Sequence, residues 1–551
     1  MPSVDTARAI LKSLDALGVT HVLYCPGSRS APFAYALEAG AFSGDARAIL
    51  DERSAGFMAV GLARAGALPA IVVTSGTAVA ELAPAVLESS HARLPLVLLT
   101  ADRPGELRGV GASQATDQSR LFGVHVRSQV DLEPQEASPS LVGRLTRSVA
   151  AACGAPSGAP GPVQINVAFR DPLTPARPAS DSEAETPLVP RPTRVLRTLA
   201  TAERWEDVVG DARAGLIVAG EGASPHASAW SRAALFPLLA EPPSGAWAHG
   251  EVVPFEQSLV SSPLGREVDT VVVTGRPTLS RPIHALLARP DVRVVLVDAC
   301  APWVDLSGNA SVVVADLTPT RRLVEAAQAD WASRVRDAAR VAGERIESLL
   351  AAGSGRTMID LARAVASSTS GPLVLGASNP VRAFDLGVSS LEGRVIHSNR
   401  GQAGIDGTIA TAVGIALGSG YAGEASAHPR RRVTAVMGDL TACHDASSLA
   451  VAASSGANLD IVVADDQGGG IFATLEHGRA ATGEAYDRWF GVAQAVDYEA
   501  LAAAYGIAFA RAETPSELAQ LLVTAEAGPR LVHAPVERAA HLYSAIRDIL
   551  N

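Results

Sequence analysis

The sequence predicts an α/β protein built on parallel sheets, and three observations lead there. Short runs of valine, leucine, isoleucine and alanine, each the length of one buried strand, recur along most of the chain. Stretches long enough for a helix separate them, the spacing that parallel strands with helical crossovers require. The runs are continuous rather than alternating, as in strands covered on both faces. At 551 residues the chain exceeds what one core supports and suggests about three domains.

Composition narrows the class. Hydrophobic residues make up 48% and charged residues 19%, the balance of a globular chain rather than a disordered one. A formal charge of −11 argues against nonspecific nucleic-acid binding. Anionic substrates would need local arginines to overcome that background. Cys25, Cys153, Cys300 and Cys443 are scattered without a CxxC pair, which fits a reducing cytoplasm. The sequence shows no charged-then-apolar signal segment and no apolar run of spanning length, so a cytoplasmic protein without membrane insertion is expected.

Taken in order, His21–Tyr24 reads as a strand running into Cys25-Pro26-Gly27-Ser28-Arg29-Ser30-Ala31-Pro32, with Pro32 in the first turn of a helix. A second strand at 46–50 precedes Asp51-Glu52-Arg53-Ser54 and another helix. A third unit repeats strand, Ser-Gly-Thr turn and helix, and a fourth leads through Asp102-Arg103-Pro104 to Gly111-Ala112-Ser113-Gln114. Residues 174–193, rich in proline, serine and acids, read as an exposed linker. The middle segment carries three strand runs, GLIVA, TVVVT and VRVVLV. Its Gly220-Glu221-Gly222 lacks the full dinucleotide fingerprint and reads as a structural turn. A polar helix at 330–352 ends at Gly353-Ser354-Gly355. Beyond it, strands at 433–437 and 459–464 flank a stretch, 441–455, that suits one helix.

Those last two strands carry the most informative spacing in the chain. Gly438-Asp439 ends one, and Asp466, 27 positions after Asp439, ends the next and precedes Gly468-Gly469-Gly470. In a parallel sheet both acids emerge at the same carboxyl edge, where open α/β sheets bind ligands. Two carboxylates, a glycine carbonyl and a helix N-terminus make a place for a hard divalent cation holding a diphosphate. Glu52 taken alone is a carboxylate favoured in the first turn of a helix. Arginine alone is usually a surface residue.

The Gly-Asp pair, spacer and second acid resemble the magnesium and thiamine-diphosphate signature. CPGSRSAP, DERSAGF, TSGTAVAEL, LTADRP, GPVQINVAFRDPL, SNPVR, SNRGQAGIDG, GDLTACHD and GGGIF together resemble a narrower group. This is the 2-succinyl-5-enolpyruvyl-6-hydroxy-3-cyclohexene-1-carboxylate synthase family of menaquinone biosynthesis. The resemblance implies three parallel-sheet α/β domains of the thiamine-diphosphate-dependent type. They are a pyrimidine-binding domain at 1–178, a central domain at 194–352 without flavin, and a diphosphate-binding domain at 356–551. It implies thiamine diphosphate and Mg2+ as cofactors, with isochorismate and 2-oxoglutarate as substrates. The reaction is decarboxylation of the oxo acid and conjugate addition of the remaining fragment to isochorismate.

Residue by residue, the resemblance gives Glu52 a proton relay to the aminopyrimidine ring, a task that a burial-raised pKa permits. It makes Ile405 the wedge that bends the cofactor. Asp439, Asp466 and the Gly468 carbonyl become metal ligands, with Gly438, Ile471 and Phe472 beside the cofactor. Asp465 should face the other way along the extended chain. Ser28, Arg29, Gln114, Ser378, Arg382 and Arg400 become substrate donors, the arginines suited to bidentate carboxylate binding. Two positions depart from the commoner patterns: Asp466 stands where many thiamine enzymes have asparagine, and Ser113 replaces an asparagine of the family. Arg103 and Arg108 remain unassigned, and Arg276 and Arg281 read either as an effector site or as surface charge. A homodimer with shared active sites, and a homotetramer by family preference, is expected. The competing readings are another thiamine-dependent decarboxylase or carboligase, and a non-catalytic thiamine- or nucleotide-binding protein.

Overall fold

The computed structural model describes residues 3–134, 138–175, 192–198, 200–210, 212–319, 326–418, 432–480, 483–524 and 527–551. Most of the expected linker at 174–193 lies outside the described residues. Three parallel sheets carry the fold, of six, five and six strands. A two-stranded pair, Ala202–Arg204 with Asp316–Thr318, accompanies them. Two compact units emerge. The first comprises Met1–Thr198, Ile409–Arg430 and Ser447–Ala457, and the second comprises Leu199–Thr408, Arg431–Ala446 and Asn458–Asn551.

In the first unit the strands lie in the spatial order Asp45–Ala48, His21–Tyr24, Pro69–Val73, Leu96–Asp102, Pro162–Ala168, Ser128–Leu132. Numbered along the chain, that order is 2-1-3-4-6-5. Ile10, Leu11, Phe33, Val72, Leu99, Ile165 and Phe169 fill its core. Each fully buried side chain of this size contributes about 1.5–3 kcal/mol.

The second unit holds the other two sheets. Ala310–Val314, Arg293–Val297, Thr270–Thr274, Gly215–Ala219 and Leu238–Ala240 form the five-stranded one, in that order. Val272 and Ile217 pack into one apolar cluster, while Val271, Val273, Leu216 and Val218 pack into another. Both faces are therefore covered, which is why these runs do not alternate. The third sheet runs Ile396–His397, Leu373–Leu375, Val433–Gly438, Leu459–Asp465, Pro529–Pro535, Ala508–Arg511. Numbered within its own segment, its order is again 2-1-3-4-6-5, the same winding as the first sheet. In both, the order reverses between the first and third strands, the position at which open α/β sheets leave a crevice.

One expected element is corrected. The single helix at 441–455 is two helices, Asp439–His444 and Leu449–Ser455, separated by the 3₁₀ turn Ala446–Ser448. The Ser447 hydroxyl donates to Asp51 at 2.7 Å and the Ser448 hydroxyl pairs with that of Ser54 at 2.8 Å. Serines that bond elsewhere compete with helix continuation. The long polar helix spans Ala326–Ala351 and so starts before 330. Gly220-Glu221-Gly222 is a turn whose Glu221 forms an isolated bridge and a 2.5 Å ion pair with Arg276. That pairing commits Arg276 internally.

Candidate active site

At the crevice of the third sheet, loops following successive strands converge on a cavity of about 140 Å3. Its lining brings together Ser378, Ile405, Gly438, Asp439, Asp466, Gly468, Ile471 and Phe472, with Met358 and Asn379. Asp439 opens the helix after one strand and is buried, and its Oδ2 has no hydrogen-bond partner. Burial lifts its pKa to about 6. Burial, and then the nearby Asp439, lift that of Asp466 to about 7. Arg538 opposes the rise at Asp466, but burial and the neighbouring acid outweigh it, an arrangement a divalent cation would relieve. Oxygen donors alone suit a hard ion such as Mg2+. Among the described residues no cluster of three or more His, Cys, Asp or Glu side chains is placed to hold a metal. Other coordination must come from backbone, ligand oxygens or water. The donor set therefore fits magnesium bound together with a diphosphate.

The loop bearing Asp466 is held from three sides. Arg538 donates to the carbonyls of Asp466, at 2.7 Å, and of Gln467. Tyr486 donates its hydroxyl to the Gly469 carbonyl at 3.0 Å, and the Gly469 N–H meets the Gly491 carbonyl at 2.6 Å. Gly468 has φ +129, a conformation side-chain-bearing residues rarely adopt, and a Cβ on Gly470 would collide with the Asp466 carboxylate. Asp465 is engaged elsewhere, accepting from the Gln467 N–H and paired with His533, both at 2.9 Å. Phe472 packs with Phe490 at 5.5 Å between ring centroids.

Two arginines meet beside this cavity. Arg382 and Arg400 both donate to the Ala377 carbonyl, at 3.3 and 3.1 Å. Arg382 also reaches the Ser378 carbonyl at 2.8 Å, and Arg400 reaches the Thr278 carbonyl and hydroxyl at 3.0 and 3.1 Å. Burial, and then the like charge of Arg400, push the pKa of Arg382 down to about 10. Paired guanidinium groups in a buried place are relieved by an anion. The Nε of Arg400 has no partner.

The first unit carries the remaining candidates. Glu52 opens helix Glu52–Arg64, whose N-cap Asp51 accepts from the N–H groups of Arg53 and Ser54. Burial raises the pKa of Glu52, with Asp51 and Glu81 acting in the same direction. Arg29 is buried, donates to the Phe169 carbonyl at 2.8 Å, and has a pKa lowered by burial and then by the nearby Arg103. Ser28 is exposed. Gln114, at φ 55, donates its amide to the Ser75 carbonyl at 2.9 Å. Arg103 closes this loop on the Ser113 carbonyl at 2.9 Å. Arg108 instead pairs with Asp102 and Asp131 at 3.2 and 2.8 Å, a structural role.

Comparison with known proteins bears on the whole chain. Residues 4–121 match the family model "Thiamine pyrophosphate enzyme, N-terminal TPP binding domain", and 385–534 match "Thiamine pyrophosphate enzyme, C-terminal TPP binding domain". The chain is 41% identical to the 2-succinyl-5-enolpyruvyl-6-hydroxy-3-cyclohexene-1-carboxylate synthase of Kineococcus radiotolerans, over 98% of this chain and 96% of that protein. It is 40% identical to the enzyme of that name from a Nocardioides species, over 97% and 95%. The Mycobacterium leprae enzyme of that name is 36% identical over the full length of both. The chain belongs to the 2-succinyl-5-enolpyruvyl-6-hydroxy-3-cyclohexene-1-carboxylate synthase family.

Seen as a member of that family, the chain shows residues that motif reading passed over. Asn379 follows Ser378 in the quoted SNPVR motif, lines the cavity, and has a buried Oδ1 without a partner. Arg538 and Tyr486, which hold the Asp466 loop, come from segments with no motif. The buried Tyr543 hydroxyl has no partner and lies in the fields of Asp466 and Arg382. Gln118 accepts from the Gly76 N–H at 2.9 Å and donates to Asn166 at 3.0 Å, bracing the Ser-Gly-Thr turn. Asn379, inside SNPVR, and Gln118, four positions after Gln114, carry a signal in the sequence; Arg538, Tyr486 and Tyr543 carry none.

Proposed function

We propose that this chain catalyses the thiamine-diphosphate- and magnesium-dependent decarboxylation of 2-oxoglutarate and conjugate addition of the remaining four-carbon unit to isochorismate. The products are 2-succinyl-5-enolpyruvyl-6-hydroxy-3-cyclohexene-1-carboxylate and carbon dioxide. The observation that carries the reading is near-full-length identity of 36–41% to enzymes of that name. The half-buried Arg382 and buried Arg400 beside the acid-lined cavity support it, because both substrates are polyanions.

Asp439, through its unpartnered Oδ2, with Asp466 and the Gly468 carbonyl, would hold the magnesium ion. Gly438, Ile405, Ile471 and Phe472 would enclose the cofactor, with Ile405 under its bend. When bound, thiamine diphosphate supplies a nucleophilic carbon that accepts the electrons released on decarboxylation. Glu52 holds and exchanges a proton at the aminopyrimidine ring, and its burial-raised pKa brings that exchange toward neutral pH. Arg29, with Ser28 and Gln114, binds substrate carboxylate and hydroxyl groups from the first unit. Arg382, Arg400 and Ser378 do so from the second. A planar guanidinium orients a carboxylate through paired N–H donors, which ammonium groups do less well. Ser113, where an asparagine is commoner in the family, offers its carbonyl to Arg103 at 2.9 Å.

The site is completed between two copies of the chain, so the smallest active form is a homodimer, and a homotetramer is the proposed state. Leu50 and Val110, near Glu52 and Gln114, are 85% and 68% exposed, apolar surface of the kind an association buries. Dilution should then abolish turnover in step with dissociation seen by light scattering. A cytoplasmic location accords with the scattered cysteines, and among the described residues no helix is long and apolar enough to cross a membrane. The deciding experiment is mass-spectrometric identification of the product after incubation with both substrates, thiamine diphosphate and Mg2+. Carbon dioxide release without the adduct would favour another thiamine-dependent decarboxylase, and release of neither would reject the proposal.

A further inference from the structure

Among the buried acids of the second unit that the proposed chemistry does not use are Glu241, Glu256 and Asp385. Glu241 follows strand Leu238–Ala240 at the carboxyl edge of the five-stranded sheet. Its Oε1 accepts from the Leu279 N–H at 2.5 Å. Thr278 is the residue whose carbonyl and hydroxyl receive the Nη2 of Arg400. A chain of short contacts therefore runs from a fully buried carboxyl group, through one turn, to a guanidinium beside the acid-lined cavity.

We propose that Glu241 is a positioning residue for Arg400: its carboxyl group fixes the Thr278–Leu279 turn, and that turn fixes the guanidinium that receives substrate. The inference rests on the reading of Arg400 as a substrate donor. The surroundings support it. Of the carboxyl oxygens, Glu241 Oε2 and both of Glu256 have no partner, while Asp385 accepts from Gln257 Nε2 at 2.5 Å. Burial raises the pKa of all three; Arg400 opposes the rise at Glu241 and Arg382 opposes it at Asp385. Buried peptide N–H groups are costly to leave unpaired, so the turn has strong cause to follow the Glu241 carboxyl group. A guanidinium oriented in this way loses less freedom on binding a carboxylate.

The test uses the full-length enzyme with its cofactors. Glu241→Leu removes both acceptors and is expected to raise the KM for one substrate about tenfold, leaving kcat within about twofold. Thiamine-diphosphate affinity, measured by calorimetry, should not change. Glu241→Gln retains a carbonyl acceptor for Leu279 and is expected to keep KM within about threefold of wild type. Arg400→Ala should raise the KM for the same substrate, and adding Glu241→Leu to it should cause no further increase, since one group acts through the other. Wild-type KM in Glu241→Leu alongside a raised KM in Arg400→Ala overturns the inference and spares the functional reading. Unchanged kinetics in Arg400→Ala sinks that reading itself. Equal damage from Leu and Gln, or fully additive effects in the double variant, also overturns the inference. Should Glu241→Leu not fold, Glu241→Asp replaces it: the shorter side chain withdraws the acceptor, KM should rise at least about threefold, and an unchanged KM rejects the proposal.

Discussion

With the proposed magnesium ligands, the acid pair at the third sheet should set a pH dependence on cation binding that one substitution largely removes. Metal ligands must be deprotonated to bind. With Asp439 at about 6 and Asp466 at about 7, lowering the pH protonates Asp466 first. Treating the two as independent, magnesium affinity in the presence of thiamine diphosphate should fall about a thousandfold between pH 8 and pH 5. Asp466→Asn leaves only Asp439 to titrate and should reduce that loss to about tenfold. Calorimetry in two buffers of different ionisation enthalpy counts the protons directly. At pH 6.5 the wild type should release about 0.8 proton more per cation than the variant, and at pH 8 only about 0.1 more. The diphosphate's own proton is common to both titrations and cancels. The sign for the metal-free fold is opposite to that for binding. Both pKa values are raised, so ionisation destabilises that fold, a cost that begins above the ordinary carboxylate range and is complete only above about pH 7. Identical proton release by wild type and Asp466→Asn would show that Asp466 does not share the cation.

Three further outcomes are expected. Glu52→Gln should keep its melting temperature and assembly but lose turnover by at least about a hundredfold, the usual worth of a placed proton carrier; near-wild-type kcat with saturating cofactor would remove Glu52 from that role. Arg382→Ala and Arg400→Ala should each raise the KM for an anionic substrate by roughly ten- to a hundredfold, as expected for a lost charge-assisted bond; initial-rate kinetics with each substrate varied in turn would expose an error if all constants stayed put. Asp51→Ala removes the N-cap of helix Glu52–Arg64 and the acceptor for Ser447, and should lower stability by about 1 kcal/mol in urea unfolding. An unshifted midpoint would mean that the cap is energetically silent.

Much of this protein is written locally. A short valine-rich run such as VTAVM favours a strand covered on both faces, and Asp51 before Glu52-Arg53-Ser54 favours a helix start. The spacing from Asp439 to Asp466 needs only two strands and a crossover, so the acids were legible although the crossover itself broke into two helices. The motifs also marked the arginines, but not what each one does. Arg103 and Arg108 lie five positions apart; one pins the Ser113 carbonyl beside Gln114 and the other is consumed by Asp102 and Asp131.

The sequence alone therefore determined the strand–helix alternation, the residue types offered to the candidate site and the family. Tertiary structure alone decided which groups meet: Arg382 with Arg400, Asp439 with Asp466, and Glu241 with the turn that accepts from Arg400. The reason is physical. Strand preference and helix capping depend on neighbours within a few residues, whereas pKa values and hydrogen-bond partners depend on distance through space and on excluded water, which chain order does not specify.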